Sequence, residues 1–467
     1  MLFSSYIFLF VFLPVTLTGF CLLARFLGPK PAKLWLTLAS LFFYGWWNPI
    51  YVVLIVLSML FNYWLGRRIG QAVRAGGAGG VLLFWGVTAN LVLLGYYKYA
   101  NFFVTNANAV FGTHWVIGKI VLPLGISFFT FTQIAYLVDA RRGVVCEYDL
   151  ADFLLFITFF PHLIAGPIIH HSEMMPQFAE PKTYRFDWNN LAIGLGLFAM
   201  GLFKKVVIAD ALSGHAATVF EAAAAGNRLW VADAWAGVLS YTFQIYFDFS
   251  GYSDMAIGLA RMLNVSFPEN FDSPYKAQSP IEFWRRWHIT LSFFLRDYLY
   301  IPLGGNRRGR LRQHLNLFVT MLLGGLWHGA DWTFVMWGAF HGVALSANHL
   351  WRDRRSSMPP ALAWMLTFLF VTLAWVLFRA HSIDRVAAIF AGMAGLNGFG
   401  WAGGSVGPPE LRECAAGLLL VLCCPNRQMI MSWQWRSDYL YAAAFAVLAG
   451  ISLLQMSNPP PFIYFQF

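Results

Sequence analysis

In the stretch MLLGGLWHGADWTFVMWGAFHG, Met321 to Gly342, an imidazole at His328 stands three residues before a carboxylate at Asp331. Asp331 is the only formally charged residue between Leu315 and Trp351. A charge at the centre of a membrane helix costs roughly 2.5–3.5 kcal/mol, so an ionisable pair in an apolar run calls for a reason. The plain reason is a buried imidazole bonded to backbone or to Asp331. Three features point to chemistry instead. Gly324, Gly325 and Gly329 remove side chains around the ring and open space for another molecule. Asp331 is spaced either to orient the ring and raise its basicity or to cap a turn. Finally, the 37-residue run is too long for one crossing and barely enough for two at about 1.5 Å per residue, which places His328 near a break or hairpin. A second HG pair, His341–Gly342, follows. On a continuous helix His341 lies about 220° around from His328, so the two share a site only if the chain turns back.

The chemistry such a histidine supports is acyl transfer to a hydroxyl. A neutral imidazole takes the hydroxyl proton while the oxygen attacks a thioester, then protonates the thiolate that leaves. Because a thioester is already activated, no Ser or Cys nucleophile is required. Upstream, seven arginines between Ile281 and Arg312 face only Glu282 and Asp297, interleaved with Trp284, Trp287, Phe293, Phe294, Tyr298 and Tyr300. That mixture suits amphipathic helices at the cytoplasmic interface or re-entrant segments. Helical spacing puts Trp284 and His288 on one face. Arg285 and Arg286, with Trp284 and Trp287, are expected to bind a phosphate-bearing carrier such as coenzyme A or a phosphopantetheine arm.

Templates of soluble enzymes fail. GYSDM (Gly251–Met255) lacks one glycine of a nucleophile elbow. His349 and Asp353 match a five-residue acyltransferase spacing but sit at a membrane exit beside Arg352 and Arg354. HHSE (His170–Glu173) has no third run to complete a metal site, and no glycine-rich phosphate loop appears. Cys21, Cys146, Cys414, Cys423 and Cys424 form no CxxC pair.

The elements that must position these residues are membrane helices. Of 467 residues 58% are hydrophobic and 12% charged, half the charged share of a soluble domain. Apolar runs near 6–24, 34–47, 50–66, 81–104, 118–138, 150–168, 190–212, 230–262, 315–327, 332–350, 361–380 and 438–456 predict an all-α, polytopic bundle of about 11–13 transmembrane helices with re-entrant or interfacial helices. The net charge of +10 sits between spans, as at Arg25/Lys30/Lys33, Arg67/Arg68/Arg74 and Arg141/Arg142, rather than on one nucleic-acid-binding face. With no Lys or Arg before the first span, the N-terminus is expected outside. No linker separates large domains. One membrane domain, 1–467, is expected, with N-terminal helices over 1–212, a central catalytic block over 213–350 containing the arginine and aromatic segment 274–312, and C-terminal helices over 351–467.

PENFDSPYKAQSPIEFWRRWHITLSFFLRDYLYIPLGGNRRG, followed by GGLWHGADWTFVMWGAFHG, strongly resembles the alginate O-acetyltransferase branch of the membrane-bound O-acyltransferase family. LFFYGWWNPIYVVL, PLGISFFTFTQIAYLVD, FFPHLIAGPI, LFKKVVIAD, FDFSGYSDMAIGLARMLN and PFIYFQF match the same branch; residues 398–436 match least. AGPIIHHSE departs from it, since many relatives carry an arginine where His170 or His171 falls. The resemblance implies a helix bundle around a passage through the membrane, with His328 as the buried histidine and His288 as the more cytoplasmic one. It implies an acyl group, acetyl first, taken from acetyl-CoA or an acyl carrier protein thioester. No cofactor would be bound permanently and no metal used. Delivery to a polysaccharide such as alginate would be direct or through an extracytoplasmic esterase-like partner, from the inner membrane of a bacterium. Trp327 and Asp331 would support His328. Tyr464, in NPPPFIYFQF, is either an interfacial anchor or a transient hydroxyl acceptor, and in the second case Tyr464→Phe abolishes polymer acylation at normal protein level. Transfer of D-alanyl or another acyl group to a polymer, lipid or protein is the alternative among enzymes. A polysaccharide exporter without chemistry is the alternative outside them.

Overall fold

The computed structural model describes residues 1–118, 120–145, 149–354, 358–399, 408–424, 439–456, 460 and 462–463. Tyr464 and Cys146 lie outside the described residues. Every regular element among them is helical, as expected of an all-α membrane protein. Among the described residues, five helices are long and apolar enough to cross a membrane: Phe8–Phe26, Ile50–Arg74, Gly80–Phe111, Trp188–Ala224 and Pro360–Arg379. Phe10, Leu57, Phe84 and Met365 are exposed on them, the placement of lipid-facing side chains. Other helices are as long, 32 residues at Val231–Met262 and 22 at Trp332–Asp353, but they carry buried polar side chains that lower their mean hydropathy.

The chain divides into two compact units. The first comprises residues 1–202, 252–268 and 456–465. Two expected spans differ here. The one placed at 118–138 begins only at Ile126, after Gly125 at φ +70°, where a Cβ would come within 3.2 Å of the Leu163 carbonyl and the Ile164 Cα. The one placed at 150–168 breaks at Phe159 between Leu150–Thr158 and Phe160–Leu163. In the interior of this unit Asn62 bonds through its side chain to those of Asn90 and Gln133. HHSE proves to be the start of the His171–Ala179 helix: Glu173 Oε2 accepts the His170 backbone N–H at 3.1 Å.

The second unit comprises residues 203–251, 269–455 and 466–467. Six of its helices are numbered in chain order: α1 (Val231–Met262, of which residues up to 251 belong here), α2 (Pro280–Arg286), α3 (Ile289–Leu295), α4 (Arg310–His328), α5 (Trp332–Asp353) and α6 (Pro360–Arg379). The α4–α5 hairpin packs backbone against backbone. A Cβ on Gly325 would lie 2.2 Å from the Phe334 carbonyl, and one on Gly338 2.4 Å from the Met321 carbonyl. Small residues in a membrane seam let helices approach to that distance. Asp331 caps α5, its Oδ1 accepting the Thr333 N–H at 3.0 Å. Ser279 caps α2 in the same way, accepting from Glu282 N–H at 3.1 Å, with Pro280 at the first helical position. Elsewhere in the unit Lys205, in the π-helical turn Lys204–Ala209, is buried between Asp210 at 2.5 Å and Asp248 at 3.0 Å.

Candidate functional site

His288 occupies the break between α2 and α3. Helical spacing from Trp284 does not reach it, because α2 ends at Arg286 and His288 has φ +43°. A left-handed, non-glycine residue costs roughly 1–2 kcal/mol, and the surroundings must hold it. They do so through an extended segment. Ile289 N–H donates to the Asn270 carbonyl at 3.0 Å and Asp272 N–H to the Arg286 carbonyl at 2.9 Å. Trp287 is 1% exposed, packed on Phe283, Phe271 and Trp375 with ring centres 5.0–5.6 Å away for the first two and 4.9 Å for the third. A core anchor of this kind fixes the backbone on which His288 turns.

The Asn270 side chain fixes the His288 ring. Asn270 Oδ1 takes the Thr290 hydroxyl at 2.9 Å and the Thr290 backbone N–H at 3.4 Å, so the atom facing them is the oxygen. His288 Nδ1 lies 3.0 Å from that same oxygen and must donate to it. The neutral ring therefore keeps its proton on Nδ1 and its lone pair on Nε2, the form a general base requires.

His328 is the last residue of α4 and 5% exposed. Its ring meets Trp327 at 4.9 Å, Trp337 at 5.1 Å and Phe378 at 5.1 Å. Trp327 also faces His288, at 6.5 Å. Thus α2–α3 and the α4–α5 hairpin bring His288, Trp327 and His328 into one aromatic cluster. Two of the glycines beside His328, Gly325 and Gly329, do not open a cavity for another molecule. Gly329 is covered by the Phe334 ring and Gly325 by α5, so they serve the hairpin. Of the two roles open to Asp331, the geometry shows the cap.

Two members of the cluster were not assigned a role from the sequence. His341, fully buried, stands one helical turn from Trp337 on α5, their rings 4.6 Å apart. Trp284 Nε1–H donates to His341 Nδ1 at 3.1 Å. The second HG pair was the available signal, and only the turn back at Gly329–Asp331 makes it a neighbour of His328. Asn270, the other, gave no signal beyond its place in PENFD.

The arginine block divides in two. Arg286 is committed, bonding Glu282 at 2.8 Å and lying 3.6 Å from Asp272. Arg285 is exposed and joins Arg352, Ser279 and Ile281 around a cavity of about 450 Å³ also lined by Asp272, Glu282 and Arg286. Guanidinium groups on such a wall suit phosphate. Buried imidazoles and an arginine-lined cavity in one unit make an arrangement that can bind a phosphate-bearing donor and move a proton where water is excluded.

Residues 140–383 match the family model described as MBOAT, membrane-bound O-acyltransferase family. The chain is 41% identical over 519 residues to a peptidoglycan O-acetyltransferase of Helicobacter pylori, covering 100% of this chain and 98% of that one. It is 46% identical over 399 residues to a probable alginate O-acetylase of Pseudomonas aeruginosa, covering 84% and 75%. It is 29% identical over 286 residues to a teichoic acid D-alanyltransferase of Streptococcus thermophilus, covering 56% and 69%.

Proposed function

This chain belongs to the membrane-bound O-acyltransferase family, and we propose that it takes acetyl from a cytoplasmic thioester and supplies it for O-acetylation of an extracytoplasmic polysaccharide. The observation that carries the reading is the burial of His288 and His328 in one aromatic cluster, in the unit that also holds the Arg285/Arg352 cavity. His328 is the base. It takes the proton of the acceptor hydroxyl as the oxygen bonds to the thioester carbon, and it gives that proton to the sulfur when the C–S bond breaks. A positioned base of this kind contributes about 10²–10⁴-fold. His288, on the backbone that Trp287 anchors, lies on the donor side, and Arg285 and Arg352 hold the donor phosphates. Relatives act on peptidoglycan and on alginate, so the acceptor is a polymer of that kind, reached directly or through an extracytoplasmic esterase-like partner. The protein sits in the inner membrane with its N-terminus outside.

His328→Ala in cells that make the polymer tests this. Unacetylated polymer at normal yield is the expected result. Lost export with intact acetylation of intracellular polymer would favour the exporter reading instead. D-alanyl transfer is the second enzymatic reading, favoured by the similarity to the D-alanyltransferase. Mild base releases the ester group from wild-type polymer, and finding alanine rather than acetate selects it.

A further inference from the structure

Trp284 determines which proton His341 carries. An indole N–H can only donate, so His341 Nδ1, 3.1 Å away, must accept. The ring is then neutral, and its one proton is on Nε2, on the far side of the ring from Nδ1. His341 is 0% exposed, and among the described residues Nε2 has no acceptor in the protein. One turn back along α5, Trp337 is 1% exposed, and its Nε1–H likewise has no acceptor. Leaving a buried donor unsatisfied costs about 1–3 kcal/mol each, and groups left so at one place point to a ligand that completes them.

The surroundings say what kind of acceptor fits. The rings against His341 are Trp284, Trp337, Phe283 and Phe370, all uncharged. A phosphate or carboxylate there would be a buried charge without a cation, so the acceptor enters neutral. A thioester carbonyl is neutral in the ground state and gains charge only as it is attacked. Trp337 touches both His328 and His341, which puts the two imidazole centres at most about 10 Å apart. That span accommodates a hydroxyl at His328 and the carbonyl it attacks at His341.

We propose that His341 Nε2–H, with Trp337 Nε1–H as a second donor, holds the thioester carbonyl oxygen while it becomes an oxyanion. This deepens, and rests on, the acyl-transfer reading above. As the acceptor oxygen bonds to the carbonyl carbon, the C=O pair moves onto oxygen between these donors and His328 takes the hydroxyl proton. Collapse re-forms C=O, breaks the C–S bond, and the thiolate takes the proton from His328. His288 and His341 are thereby opposite tautomers with separate tasks, one presenting a lone pair and the other an N–H.

The experiment compares two coenzyme A derivatives binding to the full-length protein in lipid nanodiscs. S-ethyl-CoA has no carbonyl oxygen, whereas the ketone analogue with CH₂ in place of sulfur keeps it. Wild type is expected to bind the ketone more tightly. His341→Phe should erase that preference, weakening the ketone about tenfold or more and leaving S-ethyl-CoA unchanged, while turnover falls about 10²-fold. His341→Gln, which restores an N–H, should recover part of both. If His341→Phe does not accumulate in the membrane, Trp337→Phe carries the same comparison. Equal weakening of both analogues, or of neither, overturns the donor role while leaving acyl transfer standing. Wild type binding neither analogue overturns the acyl-CoA reading and this inference with it.

Discussion

Three imidazoles stand in one apolar cluster, and their partners differ in a way that sequence position does not disclose. Asn270 accepts from His288 Nδ1, whereas Trp284 donates to His341 Nδ1. A carboxamide oxygen and an indole N–H thus write opposite proton positions on two rings of the same type. Removing the first partner should be measurable. In Asn270→Ala, His288 loses the acceptor that fixes its tautomer and the ring is free to turn, so acetyl transfer is expected to fall roughly tenfold or more with protein level maintained. Asn270→Asp, which keeps an acceptor oxygen, should retain more activity than the alanine variant; equal activities in the two would show that the bond does not matter. Of these residues, His328 was legible from its glycine-flanked place in an apolar run. His341 was visible as a residue but not as a neighbour, because helical periodicity places it 220° away until the chain reverses.

At the scale of elements, the site is made by two interruptions. One is the break at Trp287–His288, held by the 270–272 segment, and the other is the turn Gly329–Asp331 between α4 and α5. The run length had indicated the second. The first was hidden, since IEFWRRWHITLSFFL has an unbroken helical pattern and only the backbone bonds from Asn270 and Asp272 show where it stops. Asp331 belongs to this scale, because its carboxylate holds an N–H of α5. Asp331→Ala should cost about 1 kcal/mol of stability, and Asp331→Ser or Asp331→Asn should restore it. Transfer per folded molecule is expected to stay close to wild type in all three, as read from turnover normalised to folded protein. A hundredfold loss in Asp331→Asn would instead return Asp331 to the role of orienting His328. The glycines follow the same logic. They read as room for a substrate, but at Gly325 and Gly329 the room is taken by the facing helix, because in lipid close backbone contact is what holds helices together.

For the molecule as a whole, α5 sets a distance. Its 22 residues at about 1.5 Å each span roughly 33 Å, with the His328 turn at one end and Arg352 at the other. His341 lies between. On the proposed function, a donor anchored by its phosphates at Arg285 and Arg352 extends an arm along this helix before its thioester meets His328. Arg285→Gln and Arg352→Gln are each expected to raise KM for acetyl-CoA about tenfold, or 1.4 kcal/mol, with kcat little changed. Neither should alter KM for S-acetylpantetheine, which lacks the phosphates. Similar losses with both donors would place these arginines in the structure rather than at the donor. Arg286, already paired with Glu282 and Asp272, is expected to matter for stability instead.

The sequence by itself determined the solvent and therefore the class of fold. With 12% charge and repeated apolar runs, backbone groups can be satisfied only within helices, and long matching motifs identify the acyltransferase family. It also singled out His328, because a titratable group in an apolar run is costly wherever the chain goes, and His288 through its place in the matching motif. The tertiary structure alone decided which residues meet. Asn270 reaches His288 across 18 positions and Trp284 reaches His341 across 57. Those contacts set the tautomer of each ring, and a tautomer is a property of the bond a ring makes, not of the residue type or its place along the chain.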